Sequence, residues 1–203
     1  MQFYHDIVTE KSFRFLQDLR RKYKFVLIGG WAVFLYSHSL KSKDVDIIVD
    51  YEELASLKES YDVFKNDRLK KYEIKTGEFD IDIYVPLYSQ IGIEPEEIKK
   101  EAVNKEGFFV PRLETLFVLK LYAWRERQGS LKGGKDELDI FSLAALPEFD
   151  WPRYSELIKK YKFESLNGDF LKFIKRTTRV SELEINEQRM AKLKKKIFDS
   201  MKV

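Results

Sequence analysis

The sequence contains no cysteine and only two histidines, His5 and His38. The first absence removes disulfides, thiolate zinc sites and cysteine nucleophiles together. Two histidines are too few for a histidine-rich metal centre or a Ser–His–Asp triad. A catalytic metal would therefore have to be held by oxygen, which favours magnesium or manganese. No run approaches the roughly 18 uninterrupted apolar residues of a membrane span. The first turn, with Asp6 and Glu10, shows no signal-peptide pattern. The expectation is a soluble, cytoplasmic protein with no membrane partner. Neither sign of charge dominates: a net charge of +3 over 203 residues does not establish a nucleic-acid partner. It is compatible with one, because Lys192, Lys194, Lys195 and Lys196 make the C-terminal stretch locally basic. No P-loop is present.

What is there supports a substantial core, with 44% hydrophobic residues in a chain long enough for one large domain or two small ones. Helical spacing runs from residue 3 to 22, with Phe3, Ile7, Phe13, Leu16 and Leu19 on one face. Phe25 to Ile28 reads as a buried strand that stops at Gly29-Gly30, followed by a short helix over 31–36. Val45 to Val49 reads as a second strand. Tyr51 to Ser60 reads as a helix with Asp50 as its cap. Residues 72–75 and 79–85 alternate strictly around Thr76-Gly77-Glu78, which predicts a β-hairpin ended by Pro86. A short helix after Pro95 and a short strand over 108–110 follow. Beyond Pro111 the patterns are helical: 113–127, 136–146, 152–161, 168–178 and 181–201, with Gly129 to Gly134 read as a flexible loop. The fold class predicted is α+β: a mixed β-sheet with flanking helices over residues 1–110, then a helical bundle over residues 111–203.

Chemistry concentrates at Gly29-Gly30 and Asp44-Val45-Asp46. In a strand, residues two apart share a face, so Asp44 and Asp46 project together with Cα atoms about 7 Å apart. Two carboxylates on one face repel unless a cation lies between them. The hairpin repeats the arrangement, with Asp80 and Asp82 opposite Ile81 and Ile83. If that arm lies beside the Asp44 strand, a third carboxylate arrives about 5 Å away. Three carboxylates can hold two magnesium ions roughly 3.5–4 Å apart. Gly29 and Gly30 open a helix, where backbone N–H groups can cradle phosphate. Taken singly, each feature has a plain alternative, a tight turn or a solvated face. The combination in this order points to a site.

The stretch Leu27-Ile28-Gly29-Gly30-Trp31-Ala32 through Asp44-Val45-Asp46 resembles the signature of the polymerase-β-like nucleotidyltransferase superfamily. Lys120 to Arg127, followed by Lys135-Asp136-Glu137-Leu138-Asp139, resembles the third motif of its AbiEii-type toxin branch. The resemblance covers about residues 25–146. It implies an N-terminal nucleotidyltransferase catalytic domain and a helical domain that completes the nucleotide and acceptor cleft. It implies transfer of a nucleotidyl group from a nucleoside triphosphate to an acceptor, with release of pyrophosphate. Asp44, Asp46 and Asp82 would be the catalytic metal ligands for Mg2+ (or Mn2+), with Asp80 in reserve. Gly29, Gly30, Ser42, Lys120, Arg127 and Lys135 would contact the nucleotide. Asp136 or Asp139 would orient Lys120 or act as base. The acceptor would be tRNA, a protein side chain or a small aminoglycoside-like molecule, and an antitoxin protein is a further expected partner. A non-catalytic nucleotide-binding or antitoxin-partner module on the same scaffold is the alternative. From the residues alone, Lys120 and Arg127 share one helix face and Asp136 and Asp139 share another, so a purely structural clamp of ion pairs is also open. The chain departs from many relatives in carrying Gly30 where they have Ser, and Leu40 where they have Arg.

Overall fold

The computed structural model describes residues 2–201 of the backbone, and side chains from residue 6 onward. Phe3 of the expected helical face lies outside the described side chains. The chain divides into two compact units, Met1–Arg112 and Leu113–Val203.

The first unit begins with α1 (Gln2–Lys22), which buries Val8, Thr9, Ser12, Leu16 and Leu19. Ile7, expected on that face, is exposed, because the buried stripe runs through Val8 and Ser12 instead. Next come β1 (Val26–Ile28), α2 (Gly29–Ser37) and β2 (Val45–Ile48). α3 (Tyr51–Ser60) follows, then β3 (Val63–Asn66), β4 (Lys71–Lys75) and β5 (Asp80–Tyr84). The five strands form one sheet in the order β1-β2-β5-β4-β3. Every neighbour pair is antiparallel except β2 and β5, which run parallel. The predicted hairpin is therefore β4–β5, and its second arm does lie beside the Asp46 strand. β3 is not legible in the sequence: it is a short edge strand with no buried residue, so it carries no alternation to read.

The sheet exists because alternate residues of its central strands are apolar. Val45, Ile47, Ile81 and Ile83 are fully buried, and Leu27 of β1 joins them. Each such side chain contributes about 1.5–3 kcal/mol of hydrophobic stabilisation. Leu54 and Leu57 of α3 are buried as well. The opposite face of β5, with Asp80, Asp82 and Tyr84, is only half-buried. Asp50 stands at the start of α3 but does not cap it through its side chain; its carboxylate pairs with Lys99 instead. Lys99 belongs to α4 (Pro95–Lys100), the short helix expected after Pro95. A two-stranded ribbon, β6 (Val103–Lys105) and β7 (Phe108–Val110), completes the unit against β1.

The second unit is helical: α5 (Leu113–Glu126), α6 (Leu131–Ala144), α7 (Trp151–Lys160), α8 (Glu164–Arg176) and α9 (Glu187–Ser200). Its core is aromatic. Phe117 of α5 packs edge-on against Phe149, Tyr154 and Phe170, with ring centroids 4.9–5.3 Å apart. Two expectations are corrected here. The Gly129–Gly134 stretch is not a loop throughout: α6 starts at Leu131. Ser130 Oγ accepts the Gly133 N–H at 3.0 Å and donates to the Arg127 carbonyl at 2.7 Å, which caps the helix well before residue 136. Gly133 is required there, since a Cβ would lie 2.3 Å from the Arg127 carbonyl oxygen. The last helix begins at Glu187 rather than residue 181, because Val180 and Ile185 pair as a bridge and Asn186 caps α9. Met190, Leu193 and Ile197 are the buried stripe of α9, while Lys192, Lys195 and Lys196 are exposed. Among the described residues, no helix is long and apolar enough to cross a membrane.

Candidate active site

The parallel pairing of β2 with β5 puts Asp46 directly opposite Asp82. The antiparallel pairs on either side extend this row: Ile28 lies opposite Asp46, and Glu73 opposite Asp82. Three carboxylates thus stand side by side on one face of the sheet, each about 5 Å from the next at the backbone. Asp44 sits one pleat away, immediately before β2. Its Oδ1 accepts the Asp80 backbone N–H at 3.2 Å.

Burial, and then the negative charge of Asp46, push the Asp82 carboxyl up to about 6, against the opposing pull of Lys71. Lys71 Nζ lies 2.6 Å from Asp82 Oδ2 and 3.0 Å from Glu73 Oε1. Burial alone would favour the neutral forms of Lys71 and Glu73. For Lys71 the hydrogen bond and charge of Asp82, and then those of Glu73, outweigh it and raise the lysine; for Glu73 the hydrogen bond and charge of Lys71 outweigh it and lower the glutamate. Asn66 adds a hydrogen bond to Glu73 Oε1 at 3.1 Å. Asp80 is turned to Lys75 at 3.2 Å and is more exposed than Asp82. Lys71 and Glu73 are the functional candidates that sequence reasoning misses. A signal for them exists: alternation over 71–75 places Lys71, Glu73 and Lys75 on the face of Asp82 once the hairpin is closed.

Gly29 packs directly on this row. Its φ is +66°, and a Cβ there would lie 2.0 Å from Asp46 Oδ2. Both the backbone conformation and the space demand glycine. Gly30, the second residue of α2, is buried, and Ile28 before them supplies no side-chain cap to the helix. The first-turn N–H groups of α2 therefore begin one residue from the strand position that faces Asp46. Ser42 is buried, and its hydroxyl donates to the Asp44 carbonyl at 3.0 Å, shaping the turn into β2. That turn is tied to the helices: Trp31 Nε1 donates to Ser12 Oγ at 3.1 Å, and Ser12 Oγ donates to the Ser42 carbonyl at 3.2 Å.

In the second unit, Lys120 Nζ lies 2.7 Å from Asp139 Oδ2 and 3.6 Å from Asp136 Oδ1. Arg127 makes a two-pronged contact with Asp136, at 2.6 and 3.0 Å. Asp139 is fully buried and Lys120 only 7% exposed. Trp124 of α5, between Lys120 on the helix and Arg127 in the turn just past its end, donates to Glu137 at 3.0 Å. These are the ion pairs that the shared helix faces made possible. Lys135 is half-buried within α6.

Whether the first-unit face suits a divalent ion can be judged from its donors. The chemistry fits: an all-oxygen set on a half-buried face. As the side chains stand, however, no three His, Asp or Glu groups converge on one point among the described residues. Lys71 draws Asp82 to one side, and the Asp80 amide engages Asp44.

No protein-family model matches the chain, and no curated protein matches it significantly. Solved structures do. A candidate nucleotidyltransferase from Helicobacter pylori superposes with a TM-score of 0.52 at 18% identity, over 96% of this chain and 93% of the other. JHP933 from Helicobacter pylori gives 0.50 at 18% identity, over 95% and 90%. An antigenic nucleotidyltransferase-like protein from Paracoccidioides brasiliensis gives 0.47 at 19%, over 89% and 94%. The chain has a nucleotidyltransferase-like fold. At this identity the likeness extends to the fold alone.

Proposed function

We propose that the chain is a magnesium-dependent nucleotidyltransferase of the polymerase-β-like superfamily, of the AbiEii type. The observation that carries this reading is the register of Asp46 against Asp82 on adjacent parallel strands, with Asp44 just before the strand and bonded to the Asp80 amide. Asp44, Asp46 and Asp82 would hold the metal. Bound there, Mg2+ supplies charge neutralisation at the triphosphate and lowers the acceptor hydroxyl's pKa. The α2 N-terminus, opened by Gly29 and Gly30, would bind phosphate oxygens through backbone N–H groups. Gly29 keeps the Asp46 carboxylate seated against that helix end. The acceptor oxygen attacks the α-phosphorus, the bond from that phosphorus to the β-bridging oxygen breaks, and pyrophosphate leaves. The acceptor proton passes to a carboxylate of this face.

The acceptor proposed is a tRNA end, with an antitoxin as protein partner. Protein and aminoglycoside-like acceptors are the competing substrates. A second reading, a nucleotide-binding module without turnover, is favoured by one specific observation: Asp82 is already paired with Lys71. Incubation with magnesium and each triphosphate labelled at the α-phosphate, with and without total tRNA, separates these. Label in RNA supports the tRNA-directed enzyme, and label on protein redirects the acceptor. Magnesium-dependent nucleotide binding without transfer supports the module. Neither binding nor transfer refutes both.

A further inference from the structure

We infer that Lys71 is the resident counter-ion of the carboxylate row, and that a divalent cation reaches Asp82 only by displacing it. The inference rests on the metal reading just proposed and names a residue that reading did not include.

The geometry is that of a cation already in place. Lys71 Nζ bridges Asp82 Oδ2 at 2.6 Å and Glu73 Oε1 at 3.0 Å, and only 12% of its side chain is exposed. Asp82 is the carboxylate in register with Asp46, so the ammonium engages one carboxylate oxygen of the residue that an ion shared with Asp46 would also need. Glu73 offers Lys71 a second anchor. It is itself fixed by Asn66 at 3.1 Å and approached by Lys75 at 3.6 Å. A lysine that leaves Asp82 therefore does not become unpaired, because Glu73 stays within reach. This is what a displaceable counter-ion requires, since an ammonium stranded without a partner on a half-buried face would resist displacement. Lys75 is the natural comparison. It lies on the same strand face and pairs with Asp80 and Glu73, but not with Asp82.

The occupancy has two consequences. In the metal-free protein, Lys71 offsets the repulsion between Asp46 and Asp82 and lets the row fold without an ion. In the metal-bound protein, the lysine swings onto Glu73 and the solvent edge. Metal affinity is then lower than the bare carboxylates would give, so loading depends on the extra ligands that an incoming triphosphate brings.

Two measurements on the full chain test this. The first is Mn2+ binding, followed by electron paramagnetic resonance, for the wild type, Lys71→Met and Lys75→Met. Lys71→Met should bind Mn2+ roughly tenfold or more tightly, because a unit charge a few ångströms from the ion is removed from a poorly solvated site. Lys75→Met should stay within about twofold, as an exposed charge is largely screened. Equal affinity in the wild type and Lys71→Met overturns the inference while leaving the metal reading intact. Equal tightening in both variants overturns it as well, since that is a general charge effect. No binding by any of the three refutes the metal reading and this inference with it. The second measurement needs no variant: amine acylation of the wild type, read by mass spectrometry at Lys71. The rate should be slow without metal and rise severalfold with saturating Mn2+. An unchanged rate with Mn2+ bound overturns the displacement.

Discussion

Gly29 and Asp46 meet closely enough that one residue's identity fixes the other's position. Gly29→Ala places a methyl 2.0 Å from Asp46 Oδ2 and forces a left-handed conformation on alanine. The cost expected is about 2 kcal/mol or more, from backbone strain and overpacking together. A denaturant titration measures it, and transfer activity should fall further than stability does. Asp82 gives a pH signature. Its folded value of about 6 lies above the reference of 3.8, so the native state binds the proton more tightly than the unfolded chain. The resulting stabilisation is fully present below about pH 4 and is lost as pH rises through 6. Relative to Asp82→Asn, the wild type should therefore lose stability between these limits. The upper bound is about 3 kcal/mol, since each tenfold change in proton affinity is worth about 1.4 kcal/mol. Denaturation midpoints of both proteins at pH 4.5 and 7.5 check this. Parallel midpoints would mean that Asp82 is not strained in the fold. Mg2+, which requires the ionised carboxylate, should restore stability at pH 7.5 far more than at pH 5.

At the scale of elements, the ion-pair clamp between α5 and α6 makes a sharp demand. From the sequence, Lys120→Ala would weaken nucleotide binding more than folding. The structure adds a folding role for Lys120 beside that expectation. Lys120 is the cation that meets Asp139, which is fully buried. Lys120→Met should cost about 3–5 kcal/mol by stranding that charge. Adding Asp139→Asn should recover much of the loss, and urea unfolding of the single and double variants tests both statements. What is legible in the sequence follows from local rules. The alternation in 79–85 and the isolated Val45–Val49 run each specify a strand and its inner face, because period-two burial is written residue by residue. The pairing of β2 with β5 in parallel is a long-range choice that no local pattern encodes, and it alone puts Asp46 opposite Asp82. Lys71 and Glu73 depend only on the β4–β5 hairpin register, so the alternation of 71–75 against 79–85 carries their signal. The start of α6 is obscured because Gly133 and Gly134 suggest a loop, whereas the Ser130 cap overrides their low helix propensity. Ser130→Ala should cost about 1 kcal/mol, measured by thermal or urea unfolding.

At the scale of the whole molecule, the chain joins a mixed-sheet unit bearing the carboxylate row to a helical unit bearing the Lys120–Asp139 clamp. In the first, Asp46, Asp82 and Glu73 stand side by side on the sheet face. In the second, Lys120 and Arg127 meet Asp139 and Asp136, and the basic side of α9 is a solvated face over a packed stripe. The reaction proposed for the chain belongs to the sheet face. The most direct test compares wild type and Asp46→Asn with triphosphate labelled at the α-phosphate or at the γ-phosphate, in the presence of magnesium and total tRNA. The account predicts that the wild type moves the α label to an acceptor and the γ label into pyrophosphate, and that both signals vanish in a folded Asp46→Asn. Undiminished transfer by that variant, or release of the γ label as orthophosphate, would contradict it.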